Sequence, residues 1–213
     1  MQRDACETTI REKIEWCRIW VPDSDETEGK LPRVLLVGDS IVMGYGPEVG
    51  KRLKGTASVA WMGTSRFPTD PAFRDEVLLV LRHTSFALVH FNNGLHGFAN
   101  ADSAYEEALP RVVAEFRAAS AGAEWILANS TAMRQADRLA EWHPHTDRIR
   151  FRNKVVRALA EKEGLPLTDL FSVTENRPDL YVSDGTHFTE PGSVALAARV
   201  AESIERALLK AAP

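Results

Sequence analysis

The 213-residue chain has little of what marks a specialised class of protein. Its two cysteines, Cys6 and Cys17, are too few for a disulfide framework and lack the paired spacing of a zinc site, so both read as ordinary reduced thiols. There is no basic excess: 26 Lys and Arg face 30 Asp and Glu, a net charge of −4, which argues against a nucleic-acid partner. No window approaches the ~18 apolar residues of a membrane span. Asp4, Glu7, Glu12 and Glu15 interrupt the stretch where a secretory signal would be apolar, so the expected location is cytoplasmic and no membrane partner is expected. Repeats and low-complexity tracts are absent. With 44% hydrophobic and 26% charged residues, the chain has an ordinary globular composition. At this length, folding buries roughly 70% of the unfolded surface, enough for a sizeable core.

From Arg33 onward, short β-branched runs alternate with longer stretches of period 3.6, the pattern of βα units around a parallel sheet. Five strands are expected at Arg33–Val37, Ala57–Trp61, Phe86–Phe91, Glu124–Asn129 and Pro166–Asp169. Gly46-Pro47 reads as the start of a helix burying Val49 and Leu53. Ser103 with Glu106 matches a capping box ahead of Tyr105, Leu109, Val112 and Phe116, with Pro110 expected to kink that helix or delay its start. Asp147 can cap a helix carrying Ile149, Val156 and Leu159 that stops at Gly164, and Thr189 one carrying Val194, Ala197, Ala201, Ile204 and Leu208. Residues 1–30 read as an arm packed on the 31–213 domain, with Ile10, Ile14, Cys17 and Trp20 on one amphipathic helix and Pro22–Lys30 as an acidic connector.

The strongest chemical signal is Gly38-Asp39-Ser40 at the end of the first strand, where an α/β sheet presents side chains to its ligand crevice. A serine hydroxyl is a weak nucleophile until a base removes its proton. Such a base stands far downstream in Asp184-Gly185-Thr186-His187, where the carboxylate can accept the Nδ1 proton and leave Nε2 for Ser40.

These blocks resemble the SGNH (GDSL-type) serine hydrolases over roughly Arg33 to Leu209. The resemblance implies a flavodoxin-like three-layer αβα sandwich with five parallel strands in the order 2-1-3-4-5. It also implies a Ser40–His187–Asp184 triad, and an oxyanion hole built from the Ser40 and Gly63 N–H groups with an asparagine amide. The third block, His90-Phe91-Asn92-Asn93-Gly94-Leu95-His96-Gly97, is similar to the Phe-Asn-x-Gly-Leu-His-Asp variant of carbohydrate-associated members, with Gly97 where that variant has Asp. By motif Asn92 is the oxyanion donor, with Asn93 the second choice.

Asp39, His96 and Trp142 are the candidate substrate contacts, and His96 also reads as a loop residue shaping the crevice. Trp61 and Trp142 read as core aromatics or as platforms for a sugar ring. Arg66 and Arg134 read as solvated, or as contacts to a polar substrate. His143-Pro144-His145 has no companion ligand motif, and Pro144 forbids a shared helical face, so no metal or cofactor is expected. The leading expectation is an esterase removing a short acyl group, acetyl foremost, from a polar small-molecule or oligosaccharide alcohol. A lipid or thioester hydrolase with the same triad is the alternative, and a non-catalytic flavodoxin-like binding module is the third reading.

Overall fold

The computed structural model describes residues 9–22 and 31–211. Its sheet contains β1 (Cys17–Trp20), β2 (Arg33–Gly38), β3 (Ser58–Thr64), β4 (Leu88–Asn92), β5 (Glu124–Ala128) and β8 (Leu167–Thr168). A separate hairpin is formed by β6 (Arg134–Gln135) and β7 (Arg138–Trp142). The sheet order is β1-β3-β2-β4-β5-β8. All pairings are parallel except β1 on β3, so the five strands expected from sequence take the expected order and a sixth is added at the edge.

Alternation along β2 explains the layers, because successive side chains leave a strand on opposite faces. Leu35 and Val37 point into a core with α2 (Pro71–His83), α3 (Asp102–Ala119) and much of α4 (His145–Glu163), including Phe73, Phe116 and Val156. Val34 and Leu36 point into the other, with α1 (Ser40–Arg52) and α6 (Glu190–Ala211), including Val49, Leu196 and Ile204. The short α5 is Phe171–Thr174. All the β2 residues named are fully buried, and each such side chain contributes about 1.5–3 kcal/mol of transfer free energy.

Several local expectations change. The first helix begins at Ser40 and contains Pro47, because Asp39 accepts a hydrogen bond from Ile41 N and serves as N-cap. Ser103 and Glu106 form no capping box: α3 starts at Asp102 behind Ala101, which makes no side-chain cap, and it runs through Pro110. The helix α2, not expected from sequence, starts on an Asp70 cap followed by Pro71. Gly164 ends α4 in the left-handed conformation, as expected. The buried face of α6 includes Leu196 and Val200, with Val194 and Leu208 at its margins.

The amphipathic helix expected near the N-terminus is replaced by β1, with Ile14 73% exposed. The open edge of β3 offers unpaired backbone groups, and residues 17–20 satisfy them. Trp20 stacks on Trp61 there, at 5.8 Å between ring centroids, which makes Trp61 part of the packing. Cys17 is a free thiol pushed up to about 11 by burial and by Glu76. Cys6 and the 23–30 part of the acidic connector lie outside the described residues.

Candidate active site

Ser40 follows the C-terminal end of β2 and opens α1, whose first amides have no intrahelical partners. Its Oγ lies 2.9 Å from His187 Nε2, and His187 Nδ1 lies 2.7 Å from Asp184 Oδ2. The other carboxylate oxygen of Asp184 accepts hydrogen bonds from Thr186 N at 2.8 Å and His187 N at 2.9 Å, which fixes the carboxylate against the ring it faces. Burial would raise the Asp184 carboxyl, but the His187 hydrogen bond and the two backbone donors prevail and hold it below the usual range. A hydroxyl linked to an imidazole whose far nitrogen meets a carboxylate can transfer its proton as the oxygen attacks.

The loop bearing Asp184 and His187 is pinned from outside. Arg134 N donates to Gly185 O at 2.7 Å and Asp137 N to Ser183 O at 2.8 Å, so the β6–β7 hairpin holds it like a bracket. Gly185 has φ of 73°, and a Cβ there would collide with the Arg134 carbonyl; a side chain is excluded twice. The Arg134 guanidinium sits 4.2 Å from the Trp142 ring centroid and 5.3 Å from that of Tyr181. Arg134 is therefore buried, and Trp142 supports the loop instead of lining the Ser40 cavity.

That cavity, of about 300 Å³, is lined by Trp16, Arg18, Ser40, Met43, His96 and His187. This chain has the fold of structurally solved ester hydrolases. An acetyl xylan esterase superposes with a TM-score of 0.63 at 18% identity, covering 81% of this chain and 99% of that one. A lipase/acylhydrolase from Enterococcus faecalis gives 0.63 at 21%, covering 82% and 95%. A GDSL-like lipase from Bacteroides thetaiotaomicron gives 0.61 at 20%, covering 88% and 92%. No family model matches the chain, and no curated protein does.

Several residues expected at the site face elsewhere. Asp39 is 3% exposed, caps α1 and does not line the cavity; burial raises its pKa against the opposing pull of His96 and His187. The Asn92 amide donates to Ala128 O at 2.9 Å and Ser130 Oγ at 3.3 Å, and the Asn93 amide to Arg66 O at 3.1 Å. Neither asparagine lines the cavity. Gly63 lies close to the Asp39 carbonyl, but Ser65 N donates to Trp16 O, and the two-residue alternation of an antiparallel ladder turns Gly63 N–H toward Arg18 on β1 as well. Its amide is thus directed away from β2 and Ser40. Arg66 is not solvated: it reaches Glu76 and Asp70 at 3.2 Å and Glu15 at 3.6 Å.

His96 does line the cavity, together with the unforeseen Trp16, Arg18 and Met43. Met43 follows Ser40 by three residues, one helical turn, and was readable from that spacing. Trp16 and Arg18, just before and within β1, gave no local signal. Among the described residues, no group of three or more His, Cys, Asp or Glu side chains could hold a metal ion, and no helix is long and apolar enough to cross a membrane.

Proposed function

We propose that the protein is a serine esterase that removes a short acyl group, acetyl foremost, from a polar alcohol of carbohydrate type. The observation that carries this reading is the continuous hydrogen-bond chain from Ser40 Oγ through His187 to Asp184, at 2.9 and 2.7 Å. Ser40 attacks the ester carbonyl while His187 Nε2 takes its proton, and Asp184 stabilises the imidazolium that forms. The imidazolium then protonates the departing alcohol. Water, deprotonated by the same nitrogen, releases the acid from the acyl-enzyme, and no step calls for a cofactor.

The cavity supports the short acyl group. Trp16 and Met43 give it an apolar wall that a methyl can pack against. The resemblance of the third block to carbohydrate-associated members and the fold shared with an acetyl xylan esterase favour the polar alcohol. A panel of p-nitrophenyl esters of increasing acyl length beside acetylated sugars, with S40A as control, tests the reading. Turnover that rises with chain length would turn it into the lipid or thioester alternative. Failure of a fluorophosphonate to label Ser40 would favour the non-catalytic module.

A further inference from the structure

The site as sequence pictured it leaves the acyl oxyanion short of donors. Asn92, Asn93 and Gly63 are all engaged or turned away, while an imidazole sits in the cavity with Ser40. We propose that His96 is the side chain that meets the acyl oxyanion, and that Glu12 is its positioning residue, so the N-terminal segment completes the site. The inference rests on the esterase reading of Ser40.

The ring is held on several sides. Glu12 Oε2 lies 2.9 Å from His96 Nδ1 while Glu12 Oε1 accepts from Gly97 N at 2.8 Å, so one carboxylate spans ring and backbone. Trp16 packs edge-on against the imidazole at 6.0 Å. The fully buried Arg152 of α4 donates to the carbonyls of Gly94 at 2.8 Å and His96 at 2.7 Å, which fixes the main chain of the loop. Gly97 has φ of 67°, and a Cβ there would strike the Phe67 ring, so the loop admits no side chain at the position where the similar variant has Asp. With Nδ1 committed to Glu12, the nitrogen left for the cavity is Nε2.

The charge on the ring follows from its neighbours. Burial pushes the imidazole pKa down, but the Glu12 hydrogen bond and the charges of Asp39, Glu12 and Glu15 outweigh it, and the net shift is upward from 6.5. Glu12 correspondingly falls: burial raises it, and His96, Gly97 N and Arg152 bring it below its usual range. Arg18 and His187 are the cationic or titratable groups that share the cavity with the ring. As an imidazolium, His96 keeps its Nε2 proton and donates it. When the Ser40 Oγ–carbon bond forms, the carbonyl π pair moves to oxygen and meets that N–H; on collapse the pair returns and the alcohol leaves with the proton from His187. Once His96 deprotonates, Glu12 retains the Nδ1 proton and Nε2 becomes a bare lone pair facing the oxyanion.

The test compares wild type, H96F, H96N, E12Q and N92A on a short-acyl p-nitrophenyl ester, reading kcat, KM and the pH dependence of kcat. Fluorophosphonate labelling of Ser40 serves as control. H96F should lower kcat about 10²–10³-fold with KM nearly unchanged, and H96N, which restores an amide donor, should recover at least about tenfold of that loss. Wild-type kcat should fall on the alkaline side above the ordinary imidazole range near 6.5. H96N should lose that limb. E12Q should flatten it at about tenfold lower kcat, since its amide can donate to Nδ1 and leave a neutral Nε2–H that does not titrate away. A merely structural His96 would move neither limb. The inference is overturned if H96F stays within about threefold of wild type, if H96N recovers nothing, if N92A carries the large loss, or if E12Q leaves the alkaline limb in place. Turnover abolished in S40A but kept in H96F removes this inference alone; a wild type that neither turns over nor labels removes the esterase reading with it.

Discussion

Two histidine–carboxylate pairs face the Ser40 cavity, and the chain builds them by opposite means. Asp184 and His187 are three residues apart, meet at 2.7 Å and are about half exposed. Glu12 and His96 are 84 residues apart in sequence, meet at 2.9 Å and are more deeply set, with His96 19% exposed. The first pair closes within a single turn, so little chain entropy is lost in bringing it together. The second exists only while residues 9–22 are docked. That docking draws on the β1–β3 ladder, on Arg11 forked onto Asp70 at 2.8 and 3.0 Å, and on Glu15 held by Ser65 Oγ at 2.6 Å. One pair thus rests on local geometry and the other on a long-range dock that can be loosened separately.

Removing the Ser40 hydroxyl or breaking the local pair beside it should have the largest effect. S40A and H187A should each lower kcat on p-nitrophenyl acetate by on the order of 10⁴-fold or more while the melting curve is kept, because members of a triad act as a unit. More than a few per cent residual turnover in either would break the assignment. D184N should cost about 10²–10⁴-fold, since its amide can donate to Nδ1 and favour the wrong tautomer. If the same change at the other pair, E12Q, cost as much, the asymmetry between the pairs would vanish.

The dock gives an intermediate effect. D70N keeps an N-cap for α2 but removes one ionic partner of Arg11 and one of Arg66. It should cost about 2 kcal/mol of stability by chemical denaturation, less than the 3–5 kcal/mol of a fully buried pair because Arg11 is 32% exposed. Limited proteolysis should then cut the N-terminal segment earlier, and kcat should fall in the same direction as in E12Q while Ser40 still labels. Equal proteolysis rates would show that β1 alone holds the segment. Smaller still, N92A should leave kcat within about threefold but cost about 1–2 kcal/mol, because the Ala128 carbonyl and Ser130 hydroxyl lose their donor. EDTA should change nothing, and a loss on chelation restored by one divalent ion would reopen the role of His143 and His145.

The legible part of the fold was the part written in short periods. Val34 to Val37 and their counterparts in β3, β4 and β5 are buried on both faces and announced themselves as apolar runs. Their order followed from the resemblance. The N-terminal helix failed because Ile10, Ile14 and Cys17 also fit a helical spacing, and only the unsatisfied edge of β3 selects the extended form. Arg66 and Arg134 looked solvated because their partners, Asp70, Glu76 and Glu15 for one and the rings of Trp142 and Tyr181 for the other, come from separate elements.

At the site the same division holds. Sequence singled out Ser40 after a buried strand and Asp184 with His187 on one turn; Asp184 and His187 meet through the turn that joins them, whereas Ser40 and His187, 147 residues apart, meet only in the folded molecule. Local spacing is sufficient where the partners share a turn, since the chain between them leaves few geometries open. Tertiary structure decided the direction of the Asn92 and Asn93 amides, the turning of Gly63 N–H toward β1, and the meeting of Glu12 with His96. Each of these is a choice among hydrogen-bond partners supplied by remote elements, and the winning partner is the one that packing brings within about 3 Å.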